Sequence, residues 1–484
     1  MRIRAAWLRK VFSNASSEKT IEGIVTLSVA YLCTPLLFFL FCFPKFYIAW
    51  PLGLLALALL GSVFKKTRPM VGVFRYEPLV MALVWVAFTG LLATYFSGKP
   101  HIFPTDWPKH FTVFNTLRDC QWMPRVEYAQ QQFYLRYYIG WLITPAVLAS
   151  YLPVYWGQLI IYSWTVLGIY LAFSLFLEIA PKRPFIVLSS FILFGGFDVL
   201  GLILLPNAGS HNHEGYEWWS AAVHSLYLAP GNLMIWVPQH AVVGWILAGL
   251  LLDRKIASQI LPHVGIVLAA SALWSPFAAA GSLPLVAMHG KVKELITKFN
   301  LAAVPVGLAI CGYLLQGTSD LPSALRRIRS LEDAKGLFIF YIVEFGLWAL
   351  ALRFFGRSVD KRALMFVTIA LVLYPFWQFG LAGDWVMRAS IPCLGALAVM
   401  AAREISDLRL RVLSWYIFLF FLVLGSISPG TELWKSYTGY FHGGTEIKNP
   451  MDESLRNVFG WHAQAQLLSK KMVGANSAPV CKMN

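Results

Sequence analysis

Apolar runs of about 20 residues recur along this chain, and short basic clusters separate them. That alternation restricts the fold more than any other feature. A run of this length without charge has to place its backbone N–H and C=O groups where water does not reach. Only a helix satisfies all of them within one segment. Composition agrees: 58% of the 484 residues are hydrophobic, only 13% are charged and mean hydropathy is +0.60, too few charges to cover a water-soluble globule of this size. The expected fold class is an all-α polytopic membrane protein. A formal net charge of +16 could point to nucleic acid, but the basic residues sit between apolar runs, where they act as topology signals and contact anionic lipid. No nucleic-acid partner is expected.

Arg2, Arg4, Arg9 and Lys10 precede the first run, which places the N-terminus in the cytoplasm by the positive-inside rule. Spans are expected at Ile21 to Phe43, Phe46 to Phe64 and Leu79 to Phe96, so the segment from His101 onward lies outside. Tyr137 to Leu152 reads as re-entrant or interfacial, because a full crossing there would put "PKRP" at Pro181 to Pro184 on the external side. Further crossings follow at Tyr155 to Ile179, Phe185 to Leu205 and Ala241 to Leu252. Leu261 to Met288 reads as a hairpin broken by Pro276. The remaining runs begin at Leu301, Leu337, Ala363, Ala389 and Val412. About thirteen crossings result. One transmembrane domain, residues 1–428, carries external loops 98–136 and 206–240, and residues 429–484 form an external C-terminal tail. Every basic cluster but one then falls inside; the exception holds Arg326, Arg327 and Arg329. The N-terminal segment lacks the layout of a cleaved signal and reads as an uncleaved tail. Cys120 and Cys481 both fall outside, as a disulfide or as two free thiols.

The stretch "PTDWPKHFTVFNTLRD" follows an early span directly. Trp107, Phe111, Phe114 and Leu117 share one helical face, the pattern of a helix lying in the membrane interface. Asp106 at its start has two readings. It is an N-cap, favoured by the free N–H groups and the helix dipole, or it is a surface carboxylate that takes a proton from a hydroxyl or holds a divalent cation.

Together with "YLRYYIGWLITPAVLA", "WVPQH", "LWSPF" and "GDWVMRASIP", this arrangement of many spans and an early external acid resembles the GT-C superfamily of membrane glycosyltransferases. The resemblance implies transfer of a sugar from a polyprenyl-phosphate donor to a glycan, lipid or protein acceptor. It also implies that transfer takes place on the external face of a cell inner membrane, with inversion at the sugar. Asp106 takes the place of the family's external acid. The family more often has this loop after its first span, and it often pairs the acid, whereas here two spans precede the loop and Asp106 is single. A magnesium or manganese ion at that acid is left open. A phosphate leaving group needs cationic donors, and the candidates on the outer face are Arg388, His240, Lys109 and His110. Arg388 is costly so close to a span unless it is paired, either with a phosphate or with Asp384 four residues earlier. A histidine at a helix start, such as His240, also serves as a hydrogen-bonded structural residue.

The loop "GSHNHEGYEWWSAAVHS" offers Tyr216, Trp218 and Trp219 to a sugar or to the interfacial aromatic belt, as Trp107 does. Its His211, His213, Glu214, Glu217 and His224 could hold zinc only if a frame fixed them. Two other functions remain open: an O-antigen-type polymerase or ligase, and a secondary transporter or lipid-carrier flippase, for which Glu344 is the intramembrane acid.

Overall fold

A computed structural model describes residues 17–42, 46–67, 74–88, 107–119, 125–128, 131–204, 209–210, 219–220, 225–290, 292–315, 323–326, 328, 330–380, 383–407, 412–442 and 468–469. The apolar runs become helices. Among the described residues, six are long and apolar enough to cross a membrane: α1 (Ile21–Cys42), α2 (Tyr47–Lys65), Trp156–Ile179, Arg254–Trp274, Lys298–Leu315 and Leu331–Phe355. A bent pair, Leu413–Gly425 and Ile427–Thr438, makes a seventh if counted as one span. The count of thirteen crossings is not confirmed. Several runs read as spans form helices of 10–17 residues among the described residues, among them Tyr76–Ala87 and Pro238–Leu252. At 1.5 Å per residue, Pro238–Leu252 reaches only about 22 Å, less than a ~30 Å hydrocarbon core.

The packing is that of an all-α membrane protein. Only 33% of α2 and 22% of Lys298–Leu315 is buried inside the bundle, and the rest presents side chains such as Leu54, Leu57, Leu301 and Leu308. Apolar flanks of that extent are stable against lipid, not against water. At the other extreme, every residue of Pro238–Leu252 is buried. That helix packs against Val154–Ile179 on one side and Ile391–Ser406 on the other. A helix apolar on all sides belongs at the centre of a bundle.

One expected span departs from the sequence reading by breaking. The expected span Phe185 to Leu205 is two short helices, Pro184–Ile192 and Asp198–Leu204. The break is held from outside: Trp348 Nε1 donates to the Gly195 carbonyl at 2.9 Å and Phe197 N donates to Val343 O at 2.8 Å. Opposite it, Ile342–Gly346 is a π-helical turn inside Leu331–Phe355 and carries the buried Glu344. In the expected hairpin, the break at Ser275 and Pro276 is present, and the Ser275 hydroxyl caps the new helix by accepting from Ala278 N. Its first arm is longer than expected, since Arg254–Trp274 can span by itself.

The segment expected as the C-terminal tail, from residue 429, opens in a helix. The helix Ile427–His442 straddles that boundary, and its Ser428, Glu432 and Ser436 are buried. Arg326, expected at the outer headgroups, is half-buried; its backbone N donates to Phe376 O and its guanidinium to Ser225 Oγ. Arg327, Arg329, Cys120 and Cys481 lie outside the described residues.

Basic clusters distant in sequence meet at one end of the bundle. Arg75 pairs with Glu178 at 2.9 Å, Lys182 pairs with Asp407, and Arg183 donates to Ser406 O at 2.7 Å. The central helix Pro238–Leu252 and its neighbour Ile391–Ser406 run from that end to the opposite one, where the candidate site lies.

Candidate functional site at the opposite end of the bundle

The site is built where helices begin or end. The helix α3 (Trp107–Asp119) buries Trp107, Phe111 and Phe114, as its pattern requires, but against protein. Trp107 Nε1 donates to Ile235 O at 3.0 Å, and its ring stands edge-on to Trp141. His110 is 2% exposed, with its Nε2 lying 3.5 Å from Trp236 O and 3.4 Å from Gln239 Nε2. The apolar face expected in the membrane interface is therefore a packing surface. Docking against Ile235, Trp236 and Gln239 sets the start of α3 beside His240.

His240 has no exposed surface, and neither ring nitrogen has a hydrogen-bond partner among the described residues. The fields of Arg388, His110 and Lys109 all act on it, so the four cationic candidates from the sequence form one neighbourhood. The His240 ring centroid is 4.5 Å from that of Tyr138, and the Arg388 guanidinium sits 5.2 Å over the same tyrosine. Arg388 also makes a 2.9 Å ion pair with Asp384, and these side chains are only 12% and 7% exposed. Both sequence readings of Arg388 thus meet in one residue: it is paired with Asp384 and still lines a cavity.

That cavity has a volume of about 130 Å³ and is bordered by Arg136, Tyr138, Pro276, Phe277, Asp384 and Arg388 among others. At roughly 30 Å³ per water it has room for an anion the size of a phosphate. Backbone geometry fixes its charged wall. Gly380 has φ +85°, and a Cβ there would stand 2.1 Å from Asp384 Oδ2. Gly281 lets its helix approach the Ala389 carbonyl so closely that a Cβ would lie 2.0 Å from that oxygen.

Sequence reasoning missed Arg136. It is 3% exposed, and its Nη1 donates to Leu314 O at 3.5 Å. Burial draws its guanidinium below its ordinary range, because the charged form loses hydration. The signal was in "YLRYY": an arginine among aromatic residues just before a buried apolar helix, Gly140–Ala149, the same argument that singled out Arg388. With two arginines and one aspartate, the cavity wall carries one positive charge in excess. That is a donor set for an anion. The magnesium or manganese ion left open in the sequence was placed at Asp106, which lies outside the described residues. Among the described residues no three His, Cys, Asp or Glu side chains converge as metal ligands.

Asp106, Tyr216 and Trp218, with the loop histidines 211, 213 and 224, lie outside the described residues, and so does the side chain of Trp219. Lys109 is half-buried on α3. No protein-family model matches this chain, and neither a curated protein nor a solved structure matches it.

Proposed function

We propose that this protein is an inverting membrane glycosyltransferase that uses a polyprenyl-phosphate-linked sugar on the external face of a cell inner membrane. One observation carries the reading: Arg136 and Arg388, about 250 positions apart in the chain, border one small cavity with Tyr138 at the end of the bundle remote from the basic clusters. A guanidinium's planar fork matches phosphate with two hydrogen bonds. Transfer to a hydroxyl forms a bond from the acceptor oxygen to the anomeric carbon and breaks the bond from that carbon to the donor phosphate oxygen. The hydroxyl proton goes to a carboxylate, for which Asp106 is the candidate. The phosphate leaves with the charge that Arg136 and Arg388 stabilise. Tyr138 lies between the Arg388 guanidinium, 5.2 Å over its ring, and the His240 ring, 4.5 Å from it.

The test is release of polyprenyl phosphate by purified protein from a panel of polyprenyl-phosphate sugars. Arg136→Gln is expected to lower transfer by about a hundredfold, the usual scale for one charge-stabilising donor. Asp106→Asn is expected to abolish it. Full activity in both variants would remove the reading.

A second reading, a coupled transporter, draws support from Glu344. It is buried in a π-helical turn opposite the broken helix at Gly195 to Phe197, and both are features of substrate and ion paths. Uptake of labelled substrate into vesicles, lost in Glu344→Gln, would favour transport over transfer.

A further inference from the structure

Away from that cavity, the helix α4 (Leu331–Phe355) and the helix α5 (Lys361–Leu373) leave a long apolar groove between them, with a volume of about 720 Å³. Small residues, Gly346 and Ala349, form its floor, and Phe338, Leu350, Met365 and Ile369 form its walls. These four wall residues are all exposed, so the groove opens to the lipid side of the bundle. Along α5 the lining runs from Lys361 to Val372, about 16 Å at the helical rise. That is close to the depth of one leaflet of a hydrocarbon core roughly 30 Å thick.

The chemistry changes at one end, where Arg353, Lys361 and Arg362 line the groove. Lys361 is already engaged, since its Nζ donates to the carbonyls of Leu352, Arg353 and Gly356 and so closes the end of α4. Arg353 and Arg362 are exposed, and neither pairs with a carboxylate among the described residues. Two guanidinium groups at the mouth of a leaflet-deep apolar groove are complementary to a molecule with an anionic head and one long apolar chain.

We propose that this groove is a binding site for an anionic phospholipid, one acyl chain lying over Gly346 and Ala349 and the headgroup phosphate meeting Arg353 and Arg362. Apolar packing holds the chain, and the guanidinium pair supplies the preference for charge. The proposal does not depend on the transferase reading, because the groove and the cavity share no lining residue.

The experiment is native mass spectrometry of the full chain released from vesicles of phosphatidylglycerol and phosphatidylcholine in equal amounts. The expected result is one retained phosphatidylglycerol, preferred over phosphatidylcholine by on the order of tenfold. The Arg353→Gln/Arg362→Gln variant, altered only at exposed positions, is expected to lose that preference. Ala349→Trp fills the floor and is expected to lose the retained lipid with both arginines in place. Equal retention of the two lipids, wild-type preference in the double variant, or a dimer of the chain that covers the groove would each overturn the proposal.

Discussion

The two ends of this bundle use positive charge in opposite ways. At the basic end, Arg75, Lys182 and Arg183 reach carboxylates or carbonyls of neighbouring segments, and Lys182 stays 68% exposed. Their carboxylates are tucked in, Glu178 at 11% and Asp407 at 10% exposure, while the cations reach the surface, so the exposed Lys182 pair contributes little. At the other end Arg136 and Arg388 are withdrawn from solvent beside a cavity, and His240 is fully buried. The two guanidinium groups lose hydration, which for Arg388 the Asp384 carboxylate offsets. The cations at the basic end reach the surface, whereas Arg136 and Arg388 are taken into the protein.

Arg388→Gln should break this contrast most severely, because it leaves the Asp384 carboxylate buried without its partner. A loss of about 3–5 kcal/mol in unfolding free energy is expected, together with loss of sugar transfer. A denaturation curve like that of wild type would mean that the two ends do not differ. His240→Phe sharpens the comparison in the other direction. Replacing a buried imidazole whose nitrogens have no partners among the described residues should leave stability unchanged or raise it by about 1 kcal/mol, while transfer falls. A drop of several kcal/mol in thermal unfolding would show that the ring is held by hydrogen bonds after all. Trp107→Phe removes the bond to Ile235 O and should cost about 1 kcal/mol, read by the same melt, with transfer reduced only as far as α3 loosens beside His240. The smallest effect is expected from Lys182→Ala, less than about 1 kcal/mol and without change in transfer. A larger loss there would make the basic end structural rather than orienting.

Much of the membrane character was legible in the chain. Runs such as Ile21 to Phe43 and Tyr155 to Ile179 became long helices, because an uncharged run of that length has no other way to satisfy its backbone. The break at Pro276 was also legible, since proline removes a donor and clashes with the preceding turn. The break at Leu193 to Phe197 was not. No proline marks it, only the Gly195 and Gly196 pair, and Trp348 and Val343 hold it with hydrogen bonds from another helix. The α3 periodicity showed which face is apolar but not what covers it, because lipid and protein interior both accept Trp107, Phe111 and Phe114.

Among the site residues, Arg388 and His240 could be named from their cost beside an apolar helix, which is local information. Arg136 carried the same signal but lacked a reason to be joined to them. Their meeting depends on the helix ends packing together, which Gly281 permits against Ala389 and Gly380 permits against Asp384. Hydropathy and charge order along the chain are one-dimensional, so the sequence by itself determined that the protein is helical and membrane-embedded, and where its basic clusters fall. Only the tertiary structure decided which arginines border one cavity, since close packing joins residues with no regard to their separation in sequence.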